Sequence, residues 1–104
     1  MEINYSVVIR TIGKAGDKYK KLLNSIENLE PRPKEVIVVL PEGYEYPKER
    51  LGKGLEEKFI YCKKGMVEQR LVGIENAKTK YLLICDDDIS FDKDFVKKLY
   101  KPLK

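Results

Sequence analysis

The apolar residues of this chain follow two alternating patterns. Four short segments rich in β-branched and other apolar residues are too hydrophobic for half-exposed strands, so they predict buried strands at 6–9, 35–40, 58–62 and 81–85. Elsewhere apolar residues recur at every third or fourth position, which predicts helices that each pack one face on a sheet. We expect these helices from Asp17 to about Glu30, from Gly65 to Ala77, and onward from a cap at Ser90 or Asp92.

Two details of this pattern can be tested in a structure. The segment from Gly43 to Gly54 is polar and contains Gly and Pro, so we expect a loop with one short helical turn from Pro47 to Leu51. The second helix is expected to carry one stripe on its packed face, made of Met66, Val67, Arg70, Leu71, Ile74 and Ala77.

The order of these elements predicts the fold class. Strands that alternate with helices favour an α/β, three-layer fold with one parallel sheet of about four strands and right-handed crossovers. In the doubly wound order 3-2-1-4, strands one and four are neighbours, and the crevice between their carboxyl ends is where such sheets bind ligands. Arg10 and Thr11 end strand one there, and Asp86 to Asp88 end strand four. The same order places Cys62 and Cys85 too far apart to form a disulfide.

Composition narrows the classes of function. The 104 residues fit one domain, and 21 basic residues against 17 acidic ones give a net charge of only +4, which does not call for a nucleic-acid partner. The chain has no His, so zinc–histidine sites and Ser-His-Asp triads are excluded. We find no apolar segment long enough to span a membrane and no secretory signal, so we expect a cytoplasmic protein.

The three adjacent carboxylates Asp86, Asp87 and Asp88 are the main candidate for chemistry. Crowded like charges are unfavourable unless something offsets them, and a divalent cation with oxygen ligands, Mg²⁺ or Mn²⁺, is the simplest partner. If the segment is extended, Asp86 and Asp88 point into the crevice while Asp87 faces elsewhere. The alternative is that these residues only cap the following helix or face solvent.

The chain resembles the family 2 glycosyltransferases of the GT-A fold over nearly all of its length. The resemblance rests on residues 6–11, 33–39, 65–70, 73–77 and 81–88. It implies a Rossmann-like fold in which residues 1–104 form a single truncated nucleotide-sugar-binding domain. Asp86 and Asp88 look like the family's DxD pair with Mn²⁺ or Mg²⁺ as cofactor, Asp88 being the more direct metal ligand and Asp86 closer to the ribose or base. Asp87 between them is a further expected contact of the nucleotide sugar.

The same resemblance implies roles for residues outside the acidic cluster. Thr11 looks like part of the loop that receives the nucleobase of a UDP- or GDP-sugar, and Arg70 resembles a helix residue near the diphosphate. The family usually places acidic residues after strand two, where this chain offers only Glu42. Arg10 replaces a frequent Pro, and is either a phosphate contact or a surface residue. Leu71 replaces a common Asn.

Two readings of function remain open on the sequence. Sixteen residues follow Asp88, whereas the family's acceptor site and general base lie well beyond this motif, so no base is assigned. The first reading is the donor-binding half of an inverting glycosyltransferase; the second is a non-catalytic nucleotide-sugar-binding or partner-docking module. Under both readings, the protein partner expected for this domain is either another copy of the chain or a separate acceptor domain. A haloacid dehalogenase phosphatase motif also fits 86–90, but it belongs on an opening strand.

Overall fold

The computed structural model describes residues 4–52, 54–55, 57–63 and 65–100. Its strands are β1 Tyr5–Arg10, β2 Glu35–Pro41, β3 Glu57–Cys62 and β4 Tyr81–Asp86, and its helices are α1 Asp17–Glu27, α2 Met66–Asn76 and α3 Phe95–Tyr100. Every predicted strand and helix is present, but the expected burial holds only for β1 and β2: in β3 and β4 only Cys62 and Cys85 are buried, because these strands form the two edges of the sheet.

Two local predictions are wrong. Helix α1 ends at Glu27 rather than near Glu30, and residues 47–51 form no helical turn. There the Arg50 guanidinium donates hydrogen bonds to the carbonyl oxygens of Pro47 and Glu49 and lies over the rings of Tyr46 and Phe59. These side-chain contacts hold the segment in an irregular conformation, so its backbone needs no helical hydrogen bonds.

The sheet confirms the predicted topology. Its four strands are all parallel, in the order β3-β2-β1-β4. Val7 of β1 lies opposite Val36 on one side and Leu83 on the other. Cys62 and Cys85 therefore lie in strands at opposite edges, and both are free thiols, as predicted.

Side chains that alternate along each strand divide the core into two layers. Val7, Ile9, Val36 and Val38 pack with buried residues of α1 and with Val96 of α3 on one face of the sheet. On the other face Val8, Ile37 and Val39 pack with α2 through residues such as Val72. Helices on both faces make three layers, and the crossovers after β1 and β3 run on opposite faces. The crevice between the carboxyl ends of β1 and β4 is thus a topological switch point.

Helix α2 packs with a different face from the one predicted. Val67, Leu71 and Ile74 are 65%, 51% and 42% exposed, while Gln69 and Gly73 face the sheet; the Met66 side chain lies outside the described part of the structure. A Cβ on Gly73 would lie 2.3 Å from Cγ1 of Val8, so α2 approaches the sheet too closely for a larger residue. Close contact at a small residue, and not hydrophobicity, sets the rotation of this helix.

None of the described helices has both the length and the apolar composition that a membrane span requires.

Candidate functional site

The carboxyl ends of β1 and β4 bring Arg10 and Asp86 together. These residues are register partners on neighbouring strands, so their side chains lie on the same face, which is the face covered by α2. Nε of Arg10 donates a hydrogen bond to Oδ1 of Asp86 at 3.1 Å, and Nη2 of Arg70 on α2 lies 3.9 Å from the same oxygen. Two guanidinium groups thus offset the charge of the first carboxylate in the cluster.

Asp87 connects the acidic turn to the loop after β1. The hydroxyl of Thr11 donates to Oδ2 of Asp87 at 2.5 Å and accepts a hydrogen bond from the backbone N–H of Gly13 at 2.9 Å. Thr11 is buried and Asp87 is half-buried, so these contacts are partly shielded from water. Residues 76 positions apart in sequence are therefore joined by one charge-assisted hydrogen bond.

Gln69 supports this arrangement from beneath, and the sequence did not predict it. Its side chain is 2% exposed, and Nε2 donates hydrogen bonds to the carbonyl oxygens of Thr11 at 3.3 Å and Val39 at 3.0 Å. A polar residue within a helix ordinarily faces water, so only its position next to Arg70 could have drawn notice. The amide fastens α2 to the carboxyl ends of both β1 and β2.

Asp88 differs from its two neighbours. It is exposed and makes no hydrogen bond or ion pair with the residues that the structure describes. Together with Asp87 it lines a cleft of about 330 Å³ that also contains Lys14 and Lys18 of the β1–α1 region. Of the three carboxylates, Asp88 has the side chain that is available to an external ligand.

The expected alternation of the three carboxylates is wrong. Asp86 lines a separate cleft of about 410 Å³ with Arg70, while Asp87 and Asp88 line the cleft described above. Strand β4 ends at Asp86 and the next two residues form a turn, so the two-residue period of a strand no longer applies.

The acidic turn fits a divalent cation only if part of the coordination comes from elsewhere. Among the described residues no group of three or more Asp, Glu, Cys or His side chains converges on one point. Mg²⁺ commonly binds through one or two carboxylates, with substrate phosphate oxygens and water completing the shell. Asp88, with Asp86 or Asp87 beside it, supplies a donor set of this kind.

Cys85 lies directly before the acidic cluster, but its thiol is unreactive. Burial, and then the nearby charges of Asp86 and Asp87, raise the pKa of its thiol to about 12. The thiol therefore stays protonated at neutral pH, and Cys85 is a residue of the core.

Glu42 is the one predicted site residue that lies apart from the others. It is exposed just beyond β2, where its backbone N–H donates to the carbonyl oxygen of Cys62 at 2.8 Å. Strand β1 separates β2 from β4, and Glu42 lines neither of the two clefts that hold the aspartates. Its contact with a nucleobase stays a prediction.

Comparison with known proteins identifies the family and agrees with the fold. A family model described as glycosyl transferase family 2 matches residues 6–104. Two crystal structures of TarS from S. aureus have a similar fold. TarS 1–349 gives a TM-score of 0.69 at 21% identity, with 95% of this chain and 32% of that chain covered; TarS gives 0.66 at 20% identity, with 95% and 19% covered. The chain thus spans about a third or less of these proteins. No curated protein sequence matches it significantly.

Proposed function

Because the chain belongs to glycosyl transferase family 2, we propose that the acidic turn at the end of β4 binds a nucleotide-diphospho-sugar through Mn²⁺ or Mg²⁺. The domain then acts as the donor-binding part of an inverting glycosyltransferase that uses a UDP- or GDP-sugar. The acidic turn lies at the switch point of a doubly wound sheet, and this location supports the proposal because ligands of such sheets bind at that crevice.

The observation that carries the proposal is the state of Asp88. Its carboxylate is exposed and unpaired among the described residues, whereas Asp86 and Asp87 are each held by a partner from β1 or the loop that follows it. A carboxylate fixed at the end of a rigid strand and left without a partner is suited to an external cation. Asp88 is the direct ligand in this proposal and Asp87 lines the same cleft, whereas Asp86, in the separate cleft beside Arg70, contacts the ribose.

The remaining side chains contribute positioning and charge. Arg10 and Arg70 hold Asp86 in place and present two cations beside its cleft, where a diphosphate needs them. Thr11 fixes Asp87 and with it the turn that carries Asp88. A bound divalent cation supplies charge neutralisation for the nucleoside diphosphate that leaves.

A second candidate is a module that binds the donor without transferring the sugar. The two candidates share the donor site and differ only in turnover. Product formation from a labelled UDP- or GDP-sugar with a panel of acceptors supports the first, and binding without any product supports the second.

Calorimetric titration tests the donor site. UDP, GDP and their sugars are titrated into the protein with Mn²⁺, with Mg²⁺ and with EDTA, and we expect binding that requires the cation. Asp88→Asn should weaken binding by about tenfold to a hundredfold, the usual loss when a ligand of a metal centre or its support is removed. The side chain keeps its size, so the change isolates the charge.

Asp92→Asn is the matched control, because Asp92 is an exposed carboxylate four positions further along that lines neither cleft. It should bind the donor as the wild type does. Equal affinity of Asp88→Asn and wild type, or binding that is indifferent to EDTA, would show that the acidic turn does not hold a cation.

A further inference from the structure

The cleft that contains Asp88 carries basic side chains as well as acidic ones. Lys14, in the loop after β1, and Lys18, in the first turn of α1, line it together with Asp87 and Asp88. Both lysines are exposed, and neither forms an ion pair with a carboxylate among the residues that the structure describes. Nζ of Lys14 lies 5.5 Å from the centre of the Tyr44 ring, a contact that leaves its charge without a counterion. Two ammonium groups are thus available to a ligand in this cleft.

The two clefts beside the acidic turn suit the two ends of a nucleotide sugar. The cleft of Asp86 and Arg70 lies on the face of the sheet that α2 covers, whereas the two lysines belong to the loop and helix on the other face. In the proposed donor site the ribose lies beside Asp86 and the cation at Asp88. The sugar, on the far side of the diphosphate, therefore extends into the second cleft, whose volume of about 330 Å³ is within the range of small-molecule sites.

The charges around the acidic turn indicate which kind of sugar fits. Four basic side chains line the two clefts or pair with Asp86, and these are Arg10, Arg70, Lys14 and Lys18. They face the three carboxylates of Asp86 to Asp88, so one positive charge is in excess. A divalent cation and a diphosphate cancel each other, so a donor with a neutral sugar leaves that excess in place. A donor whose sugar carries one carboxylate offsets it, and a Lys ammonium is a compact charge that suits such a group.

We propose that Lys14 and Lys18 select a donor whose sugar carries a carboxylate, as a hexuronic acid does. The carboxylate accepts hydrogen bonds from the two ammonium groups, while the cation at Asp88 holds the diphosphate. The inference rests on the proposed function and extends it, because it names the class of sugar. The lysines determine specificity in this proposal and take no part in bond breaking.

Pairs of donors that differ only in the carboxylate test this specificity. UDP-glucuronate and UDP-glucose, and GDP-mannuronate and GDP-mannose, are titrated calorimetrically into the protein with Mn²⁺. For the base that the site accepts, we expect the uronate to bind about fivefold to tenfold more tightly than the neutral sugar, which is the effect of two partly exposed charge contacts. The ratio of the two affinities should shrink as salt is added, because salt screens exposed charges.

Variants of the two lysines assign the preference to these side chains. Lys14→Gln and Lys18→Gln should each lower the affinity ratio by about twofold to threefold, and the double variant should bring it close to one. The ratio is the informative quantity, because the loss of a nearby positive charge weakens the binding of both donors. Lys20→Gln is the matched control: Lys20 is exposed on the same helix and lines neither cleft, so its removal should leave the ratio as it is in the wild type.

The outcomes separate this inference from the donor site on which it rests. Neutral and anionic donors that bind equally well, and only with the cation, would leave the donor site standing and overturn the inference. A preference for the uronate that persists in the double variant would also overturn it, because other groups would then recognise the carboxylate. If none of the four donors binds with the cation, the proposed function fails and the inference fails with it.

Discussion

Replacing Gln69 with Leu tests how the site is supported. The amide donates to the carbonyl oxygens of Thr11 and Val39, near the carboxyl ends of β1 and β2, at 3.3 and 3.0 Å. After the change, Val39 keeps the backbone N–H of Thr11 as a donor at 3.2 Å, but the Thr11 carbonyl loses the donor that the amide provides. One buried acceptor without its partner costs about 1–3 kcal/mol.

These effects together predict how far Gln69→Leu lowers the free energy of unfolding. The second hydrogen bond is worth about 1 kcal/mol, and burial of the added apolar surface of Leu returns a similar amount. We therefore expect the free energy of unfolding to fall by about 2 kcal/mol, which for a domain of this size lowers the melting temperature by roughly 10 °C. Urea denaturation followed by circular dichroism measures the change.

Asn76→Leu is the control on the same helix. Its Nδ2 donates to the carbonyl oxygen of Val72, one turn earlier, at 2.8 Å, in a half-buried position that water can reach. The free energy of unfolding of that variant should fall by less than about 0.5 kcal/mol. If Gln69→Leu were equally mild, the amide would not fasten α2 to the strand ends, and the support assigned to Thr11 and Asp87 would have to come from elsewhere.

Two further predictions concern the core and the amino-terminal end of the sheet. Gly73→Ala should lower stability by about 1 kcal/mol, because the clash of its Cβ with Val8 outweighs the helix propensity gained. In a Val8→Ala background the same change should be neutral or stabilising, which a double-mutant cycle measures. An unchanged cost in that background would contradict the clash. Burial tends to raise the pKa of Glu35, but hydrogen bonds from the Lys78 backbone N–H and the Ser6 hydroxyl, with nearby lysine charge, lower it overall. Because its pKa is lowered in the folded state, ionised Glu35 stabilises the fold at pH values above its ordinary pKa of 4.5. This stabilisation is lost as the pH falls through the folded pKa. Glu35→Gln should therefore be less stable than wild type by about 1 kcal/mol at pH 7. In denaturation curves this difference in stability should narrow as the pH falls below the ordinary pKa of Glu35. A difference that does not depend on pH would show that the charge plays no part.

The sequence was sufficient for the topology. Strands whose residues are apolar on both faces can lie only in the middle layer of a sheet covered on both sides, and the helical periods between them require crossovers. The elements and their parallel arrangement depend on backbone periodicity, which a local pattern encodes directly. The observed order β3-β2-β1-β4 agrees with the doubly wound order that we expected, and it brings Arg10 and Thr11 to Asp86 and Asp87.

The internal geometry of the site needed the tertiary structure. Periodicity predicted that Val67, Leu71 and Ile74 pack against the sheet, yet Gln69 and Gly73 do. The rotation of α2 depends on a contact with Val8 and on carbonyl groups from two other strands, none of which is encoded within the helix itself.

The acidic turn shows the same division. That three carboxylates follow an apolar strand is a property of the sequence alone, and it was enough to select the candidate site. Which of them is available was decided by partners more than 70 residues away: Arg10 holds Asp86, Thr11 holds Asp87, and Asp88 is left exposed. Local patterns determine which elements form and where they end, whereas the pairing of charged and polar groups depends on distances that exist only once the chain has folded.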